Sequence, residues 1–274
     1  MAIKDILVVL DPQPQRAVPF AISFANAFDA HVTAAAPVIV PAIPSYAIAE
    51  IPGDLLQGLR EEGRAAARKE LDNFEAAARL GGLNAESVVL EGVTEGAGQQ
   101  LAGLARHFDL TVIRQGGARE AGGQDMLIEA LLFASGRPVL IAPYIQSRPA
   151  AFDRVRVAWD GGAAAARAIG DAMPVLRRAK KVELLVVDNG RAPAVDLPGF
   201  NITRHLARHA ISAELRRIHN VGDVANSLLS YAADVDADML VMGGYGHSRL
   251  REFVLGGATR GILASMTIPI LMAH

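Results

Sequence analysis

The stretch Asp238-Met239-Leu240-Val241-Met242-Gly243-Gly244-Tyr245-Gly246-His247-Ser248-Arg249-Leu250-Arg251-Glu252-Phe253-Val254-Leu255-Gly256-Gly257-Ala258-Thr259 carries the decisive signal. It opens as a strand-length apolar run, passes through a glycine-studded turn and leads into a helix, which is the repeating unit of a parallel α/β sheet. Glycines at a strand exit let backbone approach a ligand closely. Gly256-Gly257-Ala258-Thr259 would set bare N–H groups and one hydroxyl at a helix N-terminus, an end that favours an anion by geometry and by dipole. Arg249, Arg251 and Arg260 add positive charge nearby. The same glycines would serve equally well as turns and as a tight helix–sheet contact, and spacing alone does not separate the two.

Working outward, the run from Asp238 is echoed by Asp109-Leu110-Thr111-Val112-Ile113, and the closing Ile268-Pro269-Ile270-Leu271-Met272 by Arg137-Pro138-Val139-Leu140-Ile141. Ile6 to Leu10 runs into Asp11 as Val155 to Trp159 runs into Asp160. The chain of 274 residues therefore reads as two copies of one unit, residues 1–146 and 153–274, joined by a polar, Pro-containing connector from Gln146 to Phe152. In the second copy, strands are expected at Val155 to Trp159, Val182 to Val187, Ala213 to Ile218, Met239 to Met242 and Ile268 to Met272. Helices are expected over Ala163 to Leu176, after the Gly161-Gly162 turn, and over Val224 to Ala233 with Asp223 as cap. The first copy repeats the pattern, with Gly58 to Leu80 as its longest helix, stopped by Gly81-Gly82. Val32 to Ile51 is broken by Pro37, Pro41 and Pro44, so it reads as a strand running into a Pro-rich loop of the kind that often forms a lid.

Composition narrows the function. With 51% apolar and 20% charged residues the chain is an ordinary globular one. Its 27 Lys+Arg against 29 Asp+Glu give no electrostatic footprint for nucleic acid. The absence of cysteine removes thiol nucleophiles, disulfides and cysteine-ligated metal, and fits a reducing cytoplasm. Met1 to Leu10 lacks the long apolar region and cleavage site of a signal peptide, and no membrane segment is expected.

The glycine segment resembles the signature of the universal stress protein family, G-x2-G-x9-G-[S/T], with Gly243, Gly246 and Gly256 on the glycine positions. The likeness runs from Asp160 to Met272, and the first half resembles a diverged copy, so the whole looks like a tandem universal stress protein. The resemblance implies two doubly wound domains, each with a five-stranded parallel sheet in order 3-2-1-4-5. They would pair through the apolar closing strands near Val139 and Ile270 as an internal pseudo-dimer. It also implies an adenine nucleotide (ATP, ADP or AMP, with or without Mg2+) between strands 1 and 4, where open α/β sheets place ligands. Carried over, Asp160 would meet the adenosine, Val187 would lie by the base and Met242 would flank the pocket. Gly243, Gly246, His247 and Ser248 would line the ribose-phosphate side, and Gly256, Gly257, Ala258 and Thr259 the phosphates. Gly257 departs from the motif, which has Ser or Thr there, and so loses a side-chain hydrogen bond to an anionic oxygen. In the first half, Arg114-Gln115-Gly116-Gly117 cannot take the spacing, and Phe133-Ala134-Ser135-Gly136 is a helix end. One nucleotide site per chain is expected.

Other candidates carry less. His205 and His209 are four apart on a helix but have no third metal ligand near in sequence. Ser135 and Ser248 lack the setting of a nucleophile elbow, and the charged run Glu61 to Glu70 reads as a solvated face. The expected function is a nucleotide-binding stress or regulatory protein, partnered by itself or another member of the family, that hydrolyses ATP slowly at most. The alternatives are an interaction module of the same fold that works without nucleotide, and a dinucleotide-dependent oxidoreductase. Asp160-Gly161-Gly162 speaks against the latter because it lacks G-x-G-x-x-G after the first strand.

Overall fold

A computed structural model describes residues 2–10, 17–40, 53–117, 123–188, 201–220, 222–245 and 257–274. The first half runs β1 (Asp5–Val9), α1 (Val18–Phe28), β2 (His31–Val40), α2 (Gly53–Leu80), β3 (Ala85–Val93), α3 (Thr94–Ala105), β4 (Leu110–Arg114), α4 (Gly123–Ala134) and β5 (Val139–Ala142). The second runs β6 (Arg154–Ala158), α5 (Ala163–Leu176), β7 (Lys181–Asp188), α6 (Ile202–Arg208), β8 (Ala213–His219), α7 (Val224–Asp234), β9 (Met239–Gly243), α8 (Gly257–Ser265) and β10 (Ile270–Ala273).

All ten strands lie in one sheet of order β3-β2-β1-β4-β5-β10-β9-β6-β7-β8. Each half thus has the order 3-2-1-4-5, and every pairing inside a half is parallel. The halves meet where the two apolar closing strands pair antiparallel, Ile270 opposite Ile141 and Met272 opposite Val139. A four-residue strand with every side chain buried would be a poor edge. Pairing β5 with β10 satisfies both backbones and moves the edges out to β3 and β8. In β8 four consecutive residues, Glu214 to Arg217, are exposed, three of them charged.

Helices cover both faces, as a sheet with runs such as Leu110-Thr111-Val112-Ile113 requires. One core gathers α1, α2, α5 and α6 and the other α3, α4, α7 and α8, and each takes residues from both halves. The connector is pinned onto α1: Phe152 packs edge-on against Phe24 and Phe28 with ring centroids 5.5 Å away in each case, and Ala150 N donates to Ser23 Oγ at 2.7 Å. Helix α2 starts at Gly53, five residues before the expected Gly58. It tolerates an internal glycine at 63 because the helix lies on β2 there, where a Cβ would come within 2.9 Å of Val38 Cγ1. Asp223 caps α7 as expected, accepting from Asn226 N at 2.8 Å. Among the described residues no helix is long and apolar enough to cross a membrane.

Candidate functional site

Strands β6 and β9 are neighbours, yet the helices that follow them leave to opposite faces, α5 to one core and α8 to the other. The sheet therefore opens a crevice beyond the ends of β6 and β9, the position at which doubly wound sheets take ligands. Beyond β6 the chain turns at Asp160, whose Oδ1 accepts from Gly162 N at 2.8 Å, while Gly161 takes a left-handed φ of +78°. Asp160 is exposed at the crevice rim.

The other wall is set by Gly243. A Cβ built there would stand 2.5 Å from both Ala164 C and Ala165 N, so the exit of β9 lies directly against the first turn of α5 and has room only for glycine. Two residues on, Tyr245 adopts a left-handed φ of 59° and its N–H donates to Thr259 Oγ1 at 3.1 Å. This bond ties the strand exit to the first turn of α8, which closes the two ends of the glycine segment onto each other. Thr259 is buried by this role. Its oxygen takes the Tyr245 amide, and its hydroxyl proton is left to donate. Gly257 at the head of α8 is exposed, with open space where a Cβ would stand. The first-turn amides of α8 have no partner within the helix.

Of the residues expected at the site, the structure brings Asp160, Met242, Gly243, Gly257, Ala258 and Thr259 to this end of the sheet. Met242 is buried in the core beneath it. Val187 is half-buried near the end of β7, the strand flanking β6. Gly246, His247, Ser248 and Gly256 lie outside the described residues, as do Arg249, Arg251 and Asp11. His205 and His209 sit together on an exposed surface, ring centroids 4.9 Å apart, and among the described residues no group of three metal-ligating side chains forms.

Tyr245 is the residue that sequence reasoning passed over. Its ring crosses to the first half, stacking on Phe133 at 4.5 Å, and its hydroxyl donates to Glu129 Oε1 at 3.5 Å. Burial, then the Glu129 charge, pushes the phenol well above its ordinary range. Burial also raises the Glu129 carboxyl, against the Tyr245 hydrogen bond and the Arg260 charge. The corresponding crevice of the first half is different. Arg114 stands at the end of β4 where Gly243 stands at the end of β9, and it is buried. Together with Val8, Leu10, Val18 and Val112 it lines a cavity of about 10 Å³, room for about one water.

Residues 151–274 match the family model described as "Universal stress protein family". The second half is a universal stress protein domain. A universal stress protein of Synechocystis is 39% identical over 51 residues, a match that spans 19% of this chain and only 18% of that protein. Over the whole chain the fold is that of a universal stress protein from Archaeoglobus fulgidus, with a TM-score of 0.75, 16% identity, and coverage of 98% of this chain and 95% of that one. A functionally unknown protein from Pseudomonas aeruginosa PAO1 shares it with a TM-score of 0.59 and 17% identity, covering 99% of this chain and 92% of the other. At these identities the likeness is one of architecture. It extends the same fold over both halves.

Proposed function

We propose that this universal stress protein is a nucleotide-binding regulator built from domains 1–146 and 153–274, and that the second domain holds ATP, or failing that ADP or AMP, in the crevice between β6 and β9. The observation that carries the reading is the Tyr245 N–Thr259 Oγ1 bond. It joins the exit of β9 to the exposed head of α8, whose first-turn amides are the kind of backbone donors that hold phosphate. Asp160, at the opposite rim, is the acceptor for the ribose or base. Gly246, His247, Ser248 and Gly256 complete the site on the strength of the motif. Binding is proposed in place of turnover: amides hold phosphate without activating water, so any ATP hydrolysis is slow. Arg114, buried at the position where the second domain has Gly243, supports a single site per chain.

Trp159, the single tryptophan, adjoins Asp160 and gives a direct readout. Titrating ATP should change its emission saturably, with matching heat by calorimetry; no change in either would remove the reading. Gly257→Ser restores the motif hydroxyl at a position with room for it. It should tighten ATP about 10- to 150-fold, the worth of one hydrogen bond to a charged group, in the same titration.

A second reading, an interaction module of the same fold that partners itself or another universal stress protein without nucleotide, is favoured by the missing side chain at Gly257. Self-association that is indifferent both to ATP and to Thr259→Ala would support it.

A further inference from the structure

The head of α8 and the turn before it are gripped by the other half of the chain. Phe133, on α4, stacks against Tyr245 at 4.5 Å and against the His274 ring at 4.7 Å. The neighbouring Leu132 closes on Gly244, reaching within 3.7 Å of where a Cβ would stand. Glu129, one turn earlier, accepts from the Tyr245 hydroxyl at 3.5 Å, and His274 Nδ1 lies 3.1 Å from Gly244 O. On the far side, Gln115 just beyond β4 is buried and its Nε2 donates to Leu263 O in α8 at 2.6 Å. Both elements that meet in the Tyr245–Thr259 bond are thus held by residues of the first half.

A non-glycine residue keeps a left-handed φ only where its surroundings over-determine it. Among the described residues, Tyr245 is held within its own half by the hydrogen bond from its amide and by the edge of the His274 ring at 6.5 Å, while the closer ring contact, at 4.5 Å, comes from Phe133 on α4. We infer that the first half serves as a brace for the second, with Phe133 as the positioning residue that fixes Tyr245 and thereby the shape of the amide cradle at the head of α8. The inference rests on the nucleotide reading only for what the cradle holds. The brace itself is a property of the chain without ligand. It gives the diverged half, which has Arg114 in place of the strand-exit glycine, a role in the site of its neighbour.

Phe133→Ala in the full chain tests this, since Phe133 is half exposed and its truncation leaves both cores intact. In the ligand-free variant, amide hydrogen exchange at Tyr245 should accelerate about 3- to 30-fold, the range of coupling found between packed neighbours. Exchange in β1 and β6 should not change. ATP affinity, read from Trp159 emission, should fall by a similar factor. Phe133→Tyr, which keeps the ring, should restore both. Unchanged exchange at Tyr245 in Phe133→Ala overturns the brace, and so does acceleration shared equally with β1 and β6, which marks a general loss of stability. If the wild type binds no ATP while Tyr245 exchange responds as expected, the nucleotide reading falls and the brace stands. If ATP binds and exchange does not respond, the reverse holds.

Discussion

Glu183→Ala should be among the most damaging single substitutions in the second half, costing about 3–5 kcal/mol. Glu183 and Arg156 face each other in the middle of β7 and β6, both about 1% exposed, with Arg156 Nε 2.8 Å from Glu183 Oε2. Lys181 Nζ reaches Glu183 Oε1 at 2.9 Å, and the Tyr231 hydroxyl donates to Oε2 at 3.2 Å. Among the described residues Arg156 pairs with Glu183 alone: its Nε contact is a close ion pair without hydrogen-bond alignment, and its Nη1 is buried without a hydrogen bond. Removing the carboxylate leaves a fully buried guanidinium with no counter-charge, and the desolvation of that group is the main loss. Thermal unfolding should register it as a fall of roughly 6–10 °C, at about 2 °C per kcal/mol for a chain of this size. The first half shows an uncharged alternative, since Leu7 and Thr33 face each other at the same place in β1 and β2. The double substitution Arg156→Leu with Glu183→Thr should therefore recover most of the loss, because a buried pair exchanged for packed side chains is often neutral. A double variant as unstable as the single one would show that the cost lies in packing and not in charge.

The same cluster sets a pH dependence. Burial pushes the Glu183 carboxyl up, but the Lys181 hydrogen bond, the Arg156 and Lys181 charges and the Tyr231 hydroxyl together hold it below the usual carboxylate range. A lowered folded value stabilises the fold above the unfolded carboxylate pKa, near 4.5, and this contribution is lost as pH falls through the folded value. Acid unfolding of the wild type should steepen below that point.

How these features could be read in advance differs by kind. The succession of strands and helices along the chain and the cap at Asp223 are legible because each follows from a local pattern: an apolar run, an acid before a helix. The 3-2-1-4-5 order and the join of the halves near Val139 and Ile270 come with the family likeness, not with any pattern in the residues, and that the join is antiparallel is seen only in the structure. The Arg156–Glu183 pair was not legible. Two charges in apolar strands 27 positions apart look like solvated residues until the register sets them opposite each other. Tyr245 was hidden for a related reason. A tyrosine among glycines looks like a loop residue, and its partners Glu129 and Phe133 are more than 100 positions away, brought near only by the β5–β10 join. Thr259 was expected to offer its hydroxyl to phosphate. That its oxygen would hold the Tyr245 amide depends on a left-handed turn which spacing does not reveal.

Gly243→Ala should abolish nucleotide binding with a modest cost in stability. The added methyl would lie 2.5 Å from backbone atoms of Ala164 and Ala165 and 2.8 Å from Ala164 Cβ. No rotamer change relieves a contact with backbone, so either β9 or the first turn of α5 must shift by the better part of an ångström. Overpacking of this kind costs about 1–3 kcal/mol. The functional cost is larger, because Gly243 is two residues from Tyr245, and the shift is passed to the Tyr245–Thr259 bond and to the distance between Asp160 and the head of α8. A displacement of about 1 Å is enough to undo aligned polar contacts. Gly257→Ala, at the open end of the same segment, provides the control: its methyl meets no atom within 4 Å. The expected result is therefore a pair of alanine variants, both folded by circular dichroism, of which Gly257→Ala titrates with ATP like the wild type and Gly243→Ala does not. Equal binding by the two would mean that the close approach at Gly243 is a packing feature alone and that the crevice between β6 and β9 is not where the nucleotide sits.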